Sequence, residues 1–388
     1  MSTFTAATST GFSARGRRPR SAAPGLLLAL AVSLSWTLAA AAPSLRAVTV
    51  VDGIEMGWSF QFLPTGGLLV TERPGRLRQV AADGRIGVPI GGVPKVEYRG
   101  QGGLLDVALD SGFAANRQLY LCYSEAGAGG NGTALARARL SVDGKSLQDL
   151  TVIFRQAPKV DSRGHFGCRI VETPEGQLFL TLGERMSRMQ DAQTLDNHLG
   201  KVVRIDKSGK PATDNPFVGR AGARPEIYSF GHRNMQGAVL DGEGRFWAHE
   251  HGPQGGDELN LIQPGRNYGW PVITYGEQYG GGPIGAGITA RDGLEQPATY
   301  WVPSIAPSGL AWLGSERYGA DWQGDLFVGS LKFNYLVRVP LDGTRVGKPE
   351  RVLDLPGRVR DVRQGPDGLL YVLIEASQGQ ILRLEPAD

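Results

Sequence analysis

One local pattern recurs along the chain and limits what it can fold into: a turn ending in glycine, a short alternating apolar strand, then a polar or charged loop. It appears at residues 64–73 (PTGGLLVTER), 174–184 (PEGQLFLTLGE), 241–250 (DGEGRFWAHE), 322–330 (WQGDLFVGS) and 366–374 (PDGLLYVLI), with a looser copy at 116–123 (NRQLYLCY). Further strand-like runs lie between copies, at 76–80, 200–205 and 335–339. The chain has 56 glycines and 24 prolines, and no long helical apolar period. Short strands punctuated by Gly and Pro argue for an all-β fold. Six copies across residues 43–388 give roughly 58 residues each, near the length of a four-stranded propeller blade plus a loop. The stretch 252–318 is long and reads as a functional insertion. The expected fold is therefore an all-β, six-bladed β-propeller with long functional loops on one face. A pair of β-sandwiches is the competitor, and the recurrence of one strand signature argues against it.

The first 42 residues stand apart. Arg15, Arg17, Arg18 and Arg20 form a positive segment, and residues 25–42 are apolar with an Ala-rich end. These are the features of a signal peptide that is removed on export. The Arg17–Arg18 pair matches a twin-arginine signal only in part. An uncleaved membrane anchor is the alternative, because the apolar run is just long enough to span a bilayer. Ser33, Ser35 and the alanines favour cleavage. The expected layout is a signal peptide at 1–42 and one catalytic propeller domain at 43–388, periplasmic or secreted. Without the signal, Lys+Arg falls from 41 to 37 against 38 Asp+Glu, a formal net charge near −1. The whole-chain pI of 8.8 thus describes the export signal, and nothing points to a nucleic-acid partner. The near-neutral surface without an apolar stripe suggests a monomer. The two cysteines, Cys122 and Cys168, are free to pair in an exported protein, but their apolar settings suit buried free thiols at least as well.

Residues 230–270 are too polar and too glycine-rich for a core element. They gather His232, Arg233, Asn234, His249, His251, Asp257 and Glu258 around short apolar strands, as a site for a polar ligand would require. All five histidines fall between His165 and His251. His165, just ahead of a blade strand, has the near-neutral reference pKa of a general base; a loop histidine bonded to a carbonyl is the plain alternative. His198, in a polar Asp-Asn-His turn, reads as structural. His249 and His251 are two apart, which on a strand is not the helical spacing of zinc-protease histidines. Gly252-Pro253 exposes carbonyl oxygens that a hard cation accepts, although an ordinary turn would look the same. Arg358 and Arg360 share a strand face and suit a polycarboxylate or phosphate through forked hydrogen bonds, unless that face is simply solvated. Lys332 follows a blade strand and adds a third positive charge.

Nine ordered segments together resemble the glucose/sorbosone dehydrogenase family, the soluble PQQ-dependent sugar dehydrogenases, and within it the aldose sugar dehydrogenase branch. They are GQGGLLDVALD (100–110), HFGCR (165–169), LDNHLGKVVRI (195–205), GHRNMQG (231–237), HEHGPQGGDELNLI (249–262), NYGWP (267–271), VPSIAPSG (302–309), VGSLK (328–332) and GRVRDVRQGPDG (357–368). The resemblance spans about residues 51–384. It implies a six-bladed propeller whose long loops form the cofactor face. It implies a pyrroloquinoline quinone (PQQ) cofactor contacted by Gln101, Arg233, Asn234, Lys332, Arg358 and Arg360, and a calcium ion on the carbonyls of Gly252 and Pro253. His165 is then the catalytic base, with Glu184 orienting it. The reaction implied is oxidation of an aldose at C1 to the lactone, by hydride transfer to the quinone with calcium polarising it. An external acceptor takes the electrons. Ligands of a second calcium are expected near residues 275–278. The chain departs from the pattern at Gly164, where the glucose dehydrogenase branch has an acidic residue, and at Cys168 and Met235, where Gly and Pro are expected. The first departure weighs against tight glucose specificity. Two other readings are a metal-dependent lactonase propeller and a non-enzymatic binding propeller. Neither needs His165, Lys332 and the arginine pair together.

Overall fold

Each of the six copies of the pattern forms the second strand of a four-stranded antiparallel sheet. These strands are Leu68–Glu72, Gln118–Gly127, Gln177–Leu182, Phe246–Glu250, Leu326–Ser330 and Leu370–Glu375. The structure, a computed structural model, describes residues 43–387 together with Gly16. The expected signal segment, 1–42, lies outside the described residues save that glycine. The chain from Pro43 onward forms one unit. The second strands are apolar along most of their length because blades pack face to face, so both faces of each sheet are covered. Their glycine turns are steric necessities in places. A Cβ on Gly67, whose φ is 78°, would sit 2.3 Å from the Val80 carbonyl oxygen.

The six sheets form a closed ring. The first strand of each blade touches the first strand of the next: Gly57–Phe62, Leu104–Leu109, Gly167–Glu172, Met235–Leu240, Pro307–Trp312 and Arg358–Gln364, which returns to Gly57–Phe62. The amino-terminal strand Leu45–Ile54 completes the last blade by pairing with Gly379–Pro386, so both ends of the propeller chain share one sheet. The apolar core lies between neighbouring blades. Phe179 and Phe246, for example, stack at 4.3 Å across the third and fourth blades.

Every first strand carries a register shift near its start, at Gly57/Ser59, Leu104/Val107, Gly167/Ile170, Met235/Gly237, Ser308/Leu310 and Val359/Asp361. Bulges re-aim side chains, and here the buried polar residues Ser59, Asp106, Arg169, Gln236, Ser308 and Arg360 lie beside them. They bond to one another around the ring. Arg169 reaches Asp106 and Asp361, each at 3.1 Å, and donates to the Gln236 carbonyl. Ser59 Oγ donates to Asp106 at 2.6 Å, and Arg363 joins Asp106 and Asp361. Arg360 donates to the Gln236 side chain, and Ser308 Oγ donates to the Arg360 carbonyl.

Two sequence expectations change. The stretch 252–318 is not one insertion: it contains the strands Asp257–Leu261, Thr299–Trp301 and Pro307–Trp312, leaving 262–298 outside the blades' strands. The acidic pair Asp257-Glu258 masked the apolar alternation of the first of these. Cys122 and Cys168, whose settings suited free thiols, are joined by a disulfide with Cα atoms 5.7 Å apart. Their apolar setting is the interface between the second and third blades, and pairing of neighbouring blades brings the two strands within reach.

The polar ring yields a prediction. Arg169→Met removes the guanidinium that two buried carboxylates share, which costs about 3–5 kcal/mol in a buried site. Thermal and denaturant unfolding of the variant should show this as a clearly lowered midpoint. An unchanged midpoint would mean that the ring contributes nothing to holding the blades.

Candidate active site

His165 lies in the turn ahead of the strand Gly167–Glu172, with φ of 53° in the left-handed region. Its Nδ1 is 2.9 Å from Glu184 Oε1. A carboxylate only accepts, so Nδ1 carries the proton and Nε2 keeps its lone pair. Burial pushes the His165 pKa down from 6.5, Glu184 draws it back up, and the Arg233 charge lowers it again, with a net fall. The imidazole is therefore neutral near pH 7. Its backbone N–H donates to Gln101 Oε1 at 2.8 Å. Glu184 Oε2 is buried without a hydrogen-bond partner. Arg185, also at positive φ, is fully buried and donates to Asn131 and to the carbonyls of Ser162 and Gly164, bracing the turn from below.

Beside this pair is a cavity of about 390 Å³ walled by Trp58, Gln101, Phe166, Gln236, His251 and a cluster of charges. Arg360 pairs with Glu375 at 2.6 Å, and Arg358 and Arg73 each approach it at 3.4 Å. Burial pushes the Glu375 carboxyl up, but the three guanidiniums outweigh it and hold the group below the ordinary range. Three cations thus face one carboxylate, and the wall keeps a net positive charge. A wider cavity of about 880 Å³ shares Arg358, Ala306 and Leu331 with the first and adds Pro253, Tyr275, Glu277 and the exposed Lys332.

Gln101, Arg358 and Arg360 therefore line the inner cavity, and Pro253 and Lys332 the outer one. Arg233, Asn234 and Gly252 are one bond away. Arg233 Nη1 donates to the carbonyls of His251 (3.0 Å) and Gly252 (2.8 Å). Asn234 Oδ1 accepts the Gly167 N–H at 3.2 Å. Arg233 Nε and Asn234 Nδ2 are buried donors with no acceptor, an unmet demand that an acceptor-rich ligand would meet. The Gly252 oxygen already accepts from a cation. A Cβ on Gly252 would lie 2.2 Å from the Gly255 oxygen, so only glycine fits this loop. Asp257, its carboxyl pushed up by burial, fastens the loop by accepting the N–H groups of Gly252, Ile305 and Ala306.

The other histidines are held by fixed partners, His232 between Ser229 and Glu250. His198 Nδ1 accepts the Ala157 N–H, and Nε2 pairs with Glu226. His249 and His251 donate through Nε2 to the carbonyls of Gly309 and Pro307. Among the described residues no group of three or more His, Cys, Asp or Glu gathers as a metal site, including around residues 275–278. Sequence reasoning missed Arg73 and Glu375, and it placed His251 in the polar segment without giving it a place in the cavity wall. The signal was available: Arg73, Glu184, His251, Lys332 and Glu375 all sit at or just past the end of a blade's second strand. A similar short distance past the glycine turn carries each of them to the same end of the ring.

Three comparisons bear on identity. The chain is 43% identical over 364 residues to the aldose sugar dehydrogenase YliI of Escherichia coli (strain K12), covering 92% of this chain and 97% of that one. It superposes with a TM-score of 0.85 and 41% identity on the apo-form crystal structure of the soluble aldose sugar dehydrogenase from Escherichia coli, over 89% of this chain and 100% of that one. The PQQ-bound aldose sugar dehydrogenase from Streptomyces coelicolor matches with a TM-score of 0.73 and 31% identity, over 88% of this chain and 98% of that one. The family model described as Glucose / Sorbosone dehydrogenase matches residues 54–383, and the chain belongs to that family.

Proposed function

We propose that this protein is an exported, periplasmic or secreted, PQQ-dependent sugar dehydrogenase that oxidises aldoses at C1 to the lactone, with His165 as the base. The observation that carries the reading is the neutral His165–Glu184 pair beside a cavity walled by cations. The family membership and the PQQ bound by a relative support the cofactor. The donor set fits it, because PQQ is a planar tricarboxylate. Arg358, Arg360 and Lys332 would hold its carboxylates, with Gln101 and the unpaired donors of Arg233 and Asn234 serving its remaining oxygens. The carbonyls of Gly252 and Pro253 would hold calcium.

Bound PQQ supplies a quinone carbonyl that accepts the C1 hydride, and calcium supplies the charge that polarises it. The chain does the rest. His165 Nε2 takes the proton of the anomeric hydroxyl, and Glu184 stabilises the imidazolium that results. Gln101 and Arg185 keep the turn that carries the imidazole in place as its charge changes. The sugar loses a proton and a hydride, and the two electrons leave to an external acceptor. The lactonase alternative would leave the arginine group and Lys332 without a role.

The tests use purified apo-protein, with dye-linked assays to read turnover. Turnover of aldoses should require both PQQ and calcium, and turnover without either would overturn the proposal. His165→Ala should lower kcat by about 10²–10⁴-fold while leaving PQQ affinity intact, whereas Arg358→Met with Arg360→Met should weaken PQQ binding in a fluorescence titration. For pH, the base is lost as pH falls through the depressed His165 pKa, so the acidic limb of kcat should lie below 6.5. Glu184→Gln removes the partner that raises that pKa, so kcat should drop and its acidic limb move to still lower pH. A limb moving upward would contradict the pairing.

A further inference from the structure

The turn that presents His165 is held in backbone conformations that its residues do not favour. His165 has φ of 53°, Gly167 66° and Cys168 88°. Positive φ is free for glycine but costs a residue with a Cβ about 1 kcal/mol or more. Cys168 is the most extreme of the three, and it lies inside the bulge between Gly167 and Ile170. The family resemblance leads one to expect glycine there, and the φ of 88° shows why glycine would suit the position. In this chain a cysteine stands instead, bonded to Cys122 in the second strand of the neighbouring blade, with both residues fully buried.

Hydrogen bonds from other elements also tie the turn. Arg185 donates to the Gly164 carbonyl, Gln101 accepts the His165 N–H, Thr133 Oγ1 donates to the Phe166 carbonyl at 2.6 Å, and Asn234 accepts the Gly167 N–H. The disulfide is the one covalent restraint, three residues from the base.

We infer that the Cys122–Cys168 bond is a positioning element for His165: it does by covalent restraint what glycine would do by conformational freedom. It holds a Cβ-bearing residue in the left-handed region that the bulge requires, and so fixes the turn that carries His165 beside the cavity lined by Phe166 and Gly167. The inference rests on His165 being the base proposed above.

A rescue experiment separates positioning from plain stabilisation. Cys122→Ala leaves Cys168 at positive φ with no restraint, and kcat should fall by about 10-fold or more, the scale expected of a misplaced catalytic group. KM and PQQ affinity should stay near those of the parent protein. Cys168→Gly added to Cys122→Ala should return kcat towards the parent value although the bond is still absent. Both variants should unfold at lower temperature. Amide hydrogen exchange of residues 165–169 in apo-protein should quicken in Cys122→Ala and slow again in the double variant. If the single variant does not fold, Cys168→Gly alone carries the test, with near-parent kcat at a lower unfolding temperature. Equal kcat in all folded variants, or loss of kcat that glycine does not restore, would overturn the inference. Absence of sugar oxidation by the parent protein with PQQ and calcium would instead sink the proposed function, and the exchange measurement would still read the turn.

Discussion

The buried polar ring at the axis is the constraint from which the rest follows. Six first strands meet edge-inward, and each carries a bulge with polar side chains beside it. Buried charges are tolerable only when paired and hydrogen-bonded. Arg169, Asp106, Asp361 and Arg363 meet that condition only in one another's company, drawn from the second, third and last blades. Gln236 and Ser308 extend the set to the fourth and fifth blades, and Ser59 to the first. Closure of the ring therefore satisfies polar groups as well as burying the apolar layers between blades.

The same ring reaches the site. Gln236 gives its carbonyl to Arg169 and its side chain to Arg360, and it also walls the inner cavity. Trp58 lies under the Arg169 guanidinium at 4.4 Å and faces that cavity too. The cations of the cavity wall are thus fixed by groups whose other bonds hold the blades together. Such preorganisation means that little has to move when charge develops nearby. Glu375 has a matching role: one carboxylate gathers three guanidiniums that would otherwise repel each other.

Much of this was legible in the sequence, for physical reasons. The glycine turns and short apolar runs that mark the second strands are local, so six blades could be counted without knowing how they pair. Arg358 and Arg360 are two apart on a strand, and they do converge, on Glu375. The pairing of His165 with Glu184 came from resemblance, and the hydrogen bond between them agrees with it. What stayed hidden depends on contacts between blades. Asp106 and Arg169 look like ordinary polar positions until the ring brings them within 3.1 Å. Cys122 and Cys168 are 46 residues apart on different blades, and nothing in either segment reveals that the strands are neighbours. Arg73 and Glu375 lie at opposite ends of the described chain and meet because the propeller closes.

The most direct test of this account is a crystal structure of the protein with PQQ and calcium bound. The account predicts cofactor carboxylates on Arg358, Arg360 and Lys332, the reactive carbonyl near His165 Nε2, and a calcium anomalous peak at the oxygens of Gly252 and Pro253. Cofactor bound away from the arginine cluster, or calcium bound without those two carbonyls, would contradict it.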